Sequence, residues 1–109
     1  MGITKRDLFT SAENDLAIAA KAFAHPARIA ILNYLLKSNA CINGDLVTEL
    51  GLAQATISQH LRELKEIGLI QGTIEGVSMS YCINRHRWQE VQASFNTMFD
   101  RYDENQECC

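Results

Sequence analysis

The chain lacks a long apolar run and, with one exception, proline. Its longest apolar candidate, Ile29–Leu36, is interrupted by Asn33 and falls short of the roughly 18–20 residues that a membrane-spanning helix needs. The N-terminus, MGITKRDLFT, has no apolar signal-peptide core. We therefore expect no membrane partner and a cytoplasmic protein, in which cysteines rest as thiols rather than as disulfides.

The chain also shows no sequence motif of a catalytic centre. It carries no nucleophile–base arrangement, no glycine-rich phosphate loop and no CxxC redox pair. Its 109 residues predict one domain, 1–109, with little room for a substrate pocket, so we expect no enzyme. The net charge of −3 disfavours a nucleic-acid partner. A basic stripe can lie on an acidic body, however, so total charge does not decide the question.

The hydrophobic periodicity predicts a mainly α fold with one β-hairpin. Four helical stretches come first, and the segment VSMSYCIN then alternates, which places Tyr81 and Ile83 on one face with Val77 and Met79. Gly76 lies at the predicted bend of the hairpin. A fifth helix follows the hairpin. The predicted helices are Thr10–Ala24, Pro26–Lys37, Asp45–Leu50, Ala55–Ile67 and Trp88–Tyr102.

Apolar residues at three- and four-residue spacing predict the buried faces of these helices. The second helix is expected to bury Ile29, Leu32, Leu35 and Leu36. The third and fourth helices are expected to pack against each other through Leu46, Val47, Leu50, Ile57, Leu61 and Leu64.

The segment Gly44–Ile70 has the pattern of a helix-turn-helix, with a short helix, a glycine-containing turn and a longer second helix. On the longer helix, the side chains that are not expected in the core point outward, and they are neutral and able to form hydrogen bonds. Such groups suit base edges in the major groove, and glutamine pairs with adenine through two hydrogen bonds. The same side chains could instead only cap and solvate a helix. The candidate DNA-binding residues are Gln54, Thr56, Ser58 and Gln59, with His60 and Arg62 at the rim.

Two longer stretches carry a resemblance to a known family. FAHPARIAILNYL (Phe23–Leu35) and LGLAQATISQHLRELKEIGLI (Leu50–Ile70), followed by a hairpin ending in YCI, resemble an ArsR/SmtB-type transcriptional repressor, and the arsenic-responsive type above all. The resemblance implies a dimeric winged helix-turn-helix protein (α-α-α-α-β-β-α) that represses an operon until a metal, metalloid or thiol-reactive signal lowers its operator affinity. It also implies that Gln54–Ile67 is the recognition helix.

The wing departs from the family pattern. Its tip is often basic in the family, whereas Ile74–Ser78 carries Glu75 and neither lysine nor arginine. Wing contacts to phosphate are therefore not expected here.

The first and last helices carry more apolar surface than a small lone domain buries. Leu16, Ala20 and Phe23 form a stripe on the first helix, and an aromatic seam follows on the last, at Trp88, Phe95, Phe99 and Tyr102. Some of these residues could pack within the monomer. Together with the resemblance, the pattern predicts a homodimer through the first and last helices, with two recognition helices on successive major grooves of double-stranded operator DNA.

Three cysteines are the candidate effector ligands. The arsenic site of the family uses a CVC-type pair at the start of the third helix, and this chain keeps one cysteine there, Cys41. Cys108 and Cys109 lie in a tail, 104–109, that we expect to be flexible and able to extend roughly 20 Å. Because soft thiolates select soft ions, the three predict coordination of As(III) or Sb(III). With three histidines in the chain, a histidine-rich zinc centre is not expected.

Two alternatives remain open for the thiols. Cys41 could form a disulfide or polysulfide bridge with a tail thiol, which would make the protein a redox- or persulfide-responsive repressor of the same family. The tail could instead have no sensing role. Cys82 lies in the middle of a predicted strand and is the weaker candidate for a third ligand.

Overall fold

The computed structural model describes residues 5–38, 46–73 and 80–105. Within these ranges the predicted order of four helices, a hairpin and a fifth helix is confirmed. Two short 3-10 turns, Lys5–Leu8 and Lys21–Phe23, were not predicted. The elements are α1 (Ser11–Ala20), α2 (Pro26–Ser38), α3 (Leu46–Leu50), α4 (Gln54–Ile67), β1 (Ile70–Thr73), β2 (Ser80–Ile83) and α5 (Arg85–Phe99).

Helix α1 begins at a reciprocal cap and ends earlier than predicted. The Thr10 hydroxyl accepts from the Glu13 backbone N–H at 3.1 Å, and the Glu13 carboxylate accepts from the Thr10 N–H at 2.9 Å, which satisfies two otherwise unpaired donors. The prediction of one helix to Ala24 is wrong, because the chain tightens into a 3-10 turn after Ala20. Pro26 disfavours helical backbone at the preceding residue and begins α2 itself.

Two glycines with positive φ follow the two helices of the helix-turn-helix. Gly51 (φ 69°) lies in the turn between α3 and α4. Gly68 (φ 94°) ends α4, and its N–H donates to the carbonyls of Leu64 and Lys65, as in a common helix C-cap. The Arg87 side chain lies against Gly68, and its Nε donates to the Ile67 carbonyl at 3.3 Å. The first turn of α5 therefore contacts the last turn of α4.

The hairpin pairs β1 and β2 antiparallel, with Ile70 opposite Ile83 and Gly72 opposite Tyr81. A side chain at Gly72 would collide with the Ser80 carbonyl, so only glycine fits this register. Tyr81 is buried and Ile83 packs against the core, on the face that the alternation predicts, but Ser80 and Cys82 on the other face are half-buried as well. The predicted bend at Gly76 and the departing wing tip lie outside the described residues.

One hydrophobic core joins the described elements. The expected packing of α3 against α4 is confirmed, since Leu46, Ile57, Leu61 and Leu64 are all buried in it. The predicted face of α2 is wrong at two positions: Ile29 and Leu36 are exposed, and Ile31 takes the inner position instead. No helix in the described ranges is long and apolar enough to cross a membrane. The core consists of Ala19, Ala22, Ile31, Leu32, Leu35, Leu46, Ile57, Leu61, Leu64, Leu69, Ile70, Tyr81 and Val91.

Candidate nucleic-acid interface

The outer face of α4 is polar and lies open to solvent. Gln54, Thr56, Gln59 and Arg62 are exposed, and Ser58 is half-buried. The opposite side of the helix is fixed in the core through Ile57, Leu61 and Leu64, at helical spacing. The sequence prediction that these polar side chains point outward agrees with their exposure. Their contact with DNA stays a prediction.

These exposed side chains are linked by hydrogen bonds along the helix. Gln54 Nε2 donates to Ser58 Oγ at 3.0 Å. Gln59 Nε2 donates to Glu63 Oε1 at 3.2 Å, and Arg62 Nη1 donates to Gln59 Oε1 at 3.3 Å. Each bond joins residues three or four apart, which are neighbours on a helix surface. The outer face therefore carries two separate hydrogen-bonded groups, one at Gln54 and Ser58 and one around Gln59.

His60 does not point outward, so its prediction as a DNA-facing residue is wrong. Its exposed fraction is 8%, and its Nδ1 accepts from Arg28 Nε at 3.1 Å. Its ring centroid lies 4.6 Å from that of His25. Burial lowers the pKa of His60 below its usual value, and the neighbouring His25 and Arg28 lower that pKa further. A neutral imidazole is required here, because the protonated ring has no acceptor for the arginine.

The position of His60 could have been read from spacing. It lies three residues after Ile57 and four before Leu64, which places it on the flank of the buried stripe rather than on the outer face. The polar character of histidine placed it wrongly with its solvated neighbours.

Arg28 is the residue that sequence reasoning missed. Its side chain is 14% exposed and forms an ion pair with Glu63. Its Nη1 donates to the Lys21 carbonyl at 2.6 Å. The pairing compensates the charge of Glu63 on the flank of the polar face, which would otherwise repel phosphate. No local pattern indicates this contact, because its partners lie 35 positions apart (63 − 28) in the sequence.

The predicted effector ligands Cys41, Cys108 and Cys109 lie outside the described residues. Within the ranges that are described, no three histidine, cysteine or acidic side chains come together to hold a metal ion. Cys82 is a half-buried free thiol on β2, and Gln71 Nε2 lies 3.8 Å from its Sγ.

A second surface, between α1 and α5, is apolar. Phe23 contacts Trp88 and Phe95 edge-on, with ring centroids 6.1 and 6.0 Å apart, and Phe95 stacks on Phe99 at 5.9 Å. These residues line an open groove of about 450 Å³. Phe99 is 61% exposed and Tyr102 is 68% exposed. The described part of the chain therefore leaves a large apolar face uncovered.

The similar proteins described here are transcriptional regulators. The family profile described as "Bacterial regulatory protein, arsR family" matches residues 25–71. The transcriptional regulator CmtR of Mycobacterium bovis is 38% identical over 71 residues, which are 65% of this chain and 59% of that protein. The transcriptional repressor SmtB of Mycobacterium tuberculosis is also 38% identical over 71 residues, covering 52% of its length. The matched segment thus spans less than two thirds of these relatives.

Two further similarities cover more of the matched protein. An HTH-type transcriptional regulator of Methanocaldococcus jannaschii is 35% identical over 71 residues, 65% of this chain and 80% of that protein. The NMR structure of the cadmium metal-sensor CmtR from M. tuberculosis superposes with a TM-score of 0.53 at 32% identity, covering 86% of this chain and 96% of that chain.

Proposed function

Because the chain belongs to the ArsR/SmtB family of winged helix-turn-helix transcriptional regulators, we propose that it is a homodimeric repressor. It binds an operator through α4 and releases it when a thiophilic metalloid binds. The observation that carries the proposal is the exposed set of amide and hydroxyl groups on α4, which the core holds in place from behind. Because such a repressor binds chromosomal DNA, the proposed localisation is the cytoplasm.

The chemistry of α4 divides its contacts into two kinds. Gln54, Thr56, Ser58 and Gln59 carry the donors and acceptors that base edges recognise in the major groove. Arg62 supplies a positive charge for the phosphate backbone, which positions the protein rather than selecting sequence. Affinity for the operator should therefore fall as salt rises, since bound phosphates release their counterions.

The apolar face between α1 and α5 supports a two-fold dimer. A second copy of the same face would cover Phe99 and the groove beside Phe23 in both protomers at once. The two copies of α4 would then reach two half-sites one helical turn apart, about 34 Å.

The proposed effector is As(III) or Sb(III), bound by the thiolates of Cys41, Cys108 and Cys109. Three soft ligands in one chain suit a soft ion. A metal or metalloid effector agrees with the similar structure, which is that of a cadmium sensor. Coupling between an effector and DNA usually amounts to about 1–3 kcal/mol, or roughly 5- to 150-fold in affinity.

Fluorescence anisotropy of the full chain on labelled DNA from upstream of its own coding sequence tests the proposal. Wild type should bind in a salt-dependent manner and release on adding arsenite or antimonite, with parallel titrations of cadmium, zinc and a persulfide donor. The variants Cys41→Ser, Cys108→Ser and Cys109→Ser should each weaken the response, whereas the matched variant Cys82→Ser should keep it.

The outcomes separate the parts of the proposal. Release by arsenite that survives loss of both tail cysteines would remove them from the sensor. Release by the persulfide donor alone would replace the metalloid with a sulfur signal. Absence of salt-dependent binding to any duplex would overturn the assignment of a repressor.

A further inference from the structure

The amide of Gln59 is held at both ends. Its nitrogen faces Glu63 Oε1 at 3.2 Å, and its oxygen faces Arg62 Nη1 at 3.3 Å. A carboxylate can only accept and a guanidinium can only donate. Reversing the amide would therefore set two acceptors against each other at one end and two donors at the other. The orientation of this side chain is fixed by its neighbours.

The fixed amide keeps the groups that one base requires. With one N–H used by Glu63 and one lone pair used by Arg62, Gln59 retains one donor and one acceptor. In the major groove adenine offers an acceptor and a donor side by side, whereas guanine offers two acceptors. An amide that cannot turn over therefore matches adenine and mismatches guanine.

Glu63 is itself held from inside the protein. Its second carboxylate oxygen, Oε2, pairs with Arg28, whose side chain is only 14% exposed. Arg28 is anchored in turn by the Lys21 carbonyl and by the buried His60 ring. The contacts thus run without a gap from the junction between α1 and α2, through Arg28 and Glu63, to the exposed amide of Gln59.

We propose that Glu63 and Arg28 are positioning residues for sequence readout: Glu63 fixes the Gln59 amide for adenine, and Arg28 fixes Glu63. The inference rests on the proposed function, because it requires that α4 reads DNA. A glutamine that is already ordered loses little conformational freedom on binding, which favours the complex. Neither positioning residue needs to touch a base.

The test begins by finding the base pair that Gln59 reads. Wild type selects its preferred site from random duplexes, and Gln59→Ala identifies the position at which preference is lost. The readout is then the ratio of dissociation constants for A·T and G·C at that position. A well-made pair of hydrogen bonds to a base contributes about 5- to 150-fold to such a ratio.

Three variants separate positioning from general effects. Glu63→Met removes the acceptor and should reduce the ratio about fivefold or more towards that of Gln59→Ala. Glu63→Gln keeps one acceptor oxygen and should give an intermediate ratio, and it serves equally if the methionine variant fails to fold. Glu66→Met is the matched control, because it removes the same charge from α4 at an exposed glutamate one turn further along the helix, and it should keep the wild-type ratio.

Arg28→Lys and the double variant Gln59→Ala/Glu63→Met complete the test. The lysine variant should lower the ratio, because it keeps the charge but not the several contacts of the guanidinium. The double variant should lose no more than Gln59→Ala alone, since both changes act on one contact.

Each outcome decides the matter. An unchanged ratio in Glu63→Met and Glu63→Gln, or an equal loss of affinity for all duplexes, would overturn the inference and leave the proposed function standing. The same holds if Gln59→Ala loses preference at no base pair. A wild-type chain with no preference among duplexes would overturn both.

Discussion

The outer face of α4 and the face between α1 and α5 are both exposed, but they differ in what exposure costs. The first carries amides, hydroxyls and a guanidinium that water can solvate. The second carries Phe99, Tyr102 and a groove lined by aromatic rings, and apolar surface left in water costs roughly 25 cal/mol per Å². The polar face is therefore stable without a binding partner, as the proposed DNA-binding surface must be. The apolar face is the one whose burial in the proposed dimer would stabilise the protein.

The two faces also differ in what lies behind them. Helix α4 is backed by the buried residues Ile57, Leu61 and Leu64, together with the Arg28–Glu63 pair. The exposed end of α5 is backed mainly by ring contacts among Phe23, Phe95 and Phe99. The proposed reading surface therefore has internal support, whereas the proposed dimer seam would gain its support from the partner.

Removing the support beneath α4 should have the largest effect. Leu64→Ala leaves a cavity in the core at a residue with no exposed surface, and should lower the free energy of unfolding by about 2–5 kcal/mol. Urea unfolding followed by circular dichroism measures it. Lys65→Ala, on the exposed side of the same turn, should change stability by less than about 0.5 kcal/mol. Equal losses in the two variants would mean that α4 is not anchored as described.

Breaking the seam should leave each protomer folded. Phe99→Asp places a charge in the apolar face at a side chain that is 61% exposed. We expect a monomer in sedimentation velocity and an operator affinity about 100-fold lower, because two linked half-site contacts become one. Leu36→Asp, at a 45% exposed leucine on α2, should remain dimeric. A Phe99→Asp protein that still sediments as a dimer would move the seam elsewhere.

Lowering the pH should destabilise the packing behind α4 before it affects the apolar face between α1 and α5. The lowered pKa of His60, caused first by its burial, means that the unfolded chain binds the proton more readily than the folded one. The stability contributed by neutral His60 is therefore present above about pH 6.5 and lost as pH falls through its folded-state pKa. Urea midpoints between about pH 5 and pH 8 should show the decline.

The matched variants for this pH series are His60→Gln and His86→Gln. His60→Gln should flatten the decline, since its amide oxygen still accepts from Arg28 but does not titrate. His86→Gln changes a histidine on α5 whose side chain is 87% exposed, and should keep the wild-type profile. A decline that persists in His60→Gln would assign the effect to another group.

The sequence predicted the parts of the fold that depend on local periodicity. The helix-turn-helix, the hairpin and the buried face of α4 follow from spacing along one element. The exposed positions of Ile29 and Leu36 do not, because only the neighbours of α2 decide which edge of an apolar stripe is covered. The change from α-helix to a 3-10 turn after Ala20 was likewise not predicted, because the apolar spacing continues through Phe23.

The candidate site was predicted less completely than the fold. Its outward residues were predicted as those residues of α4 that do not belong to the buried apolar stripe. This rule fails at His60, which lies at the edge of the stripe. The Arg28–Glu63 pair joins two helices far apart in sequence, so only the tertiary fold reveals it. The assignment of Cys41, Cys108 and Cys109 as ligands stays a prediction, since these residues lie outside the described ranges.

The contact of Arg87 with the carbonyl of Ile67 has a mechanical consequence. It joins the beginning of α5 to the end of α4, while Phe99 lies at the other end of α5, about 18 Å away at 1.5 Å per residue. In a dimer held near Phe99, tilting α5 by about 10° would displace the attached end of α4 by about 3 Å over that length. If each protomer turns as a rigid body, with its interior unchanged, a small rotation at the symmetry axis would thus produce a larger displacement of α4 at the DNA major groove.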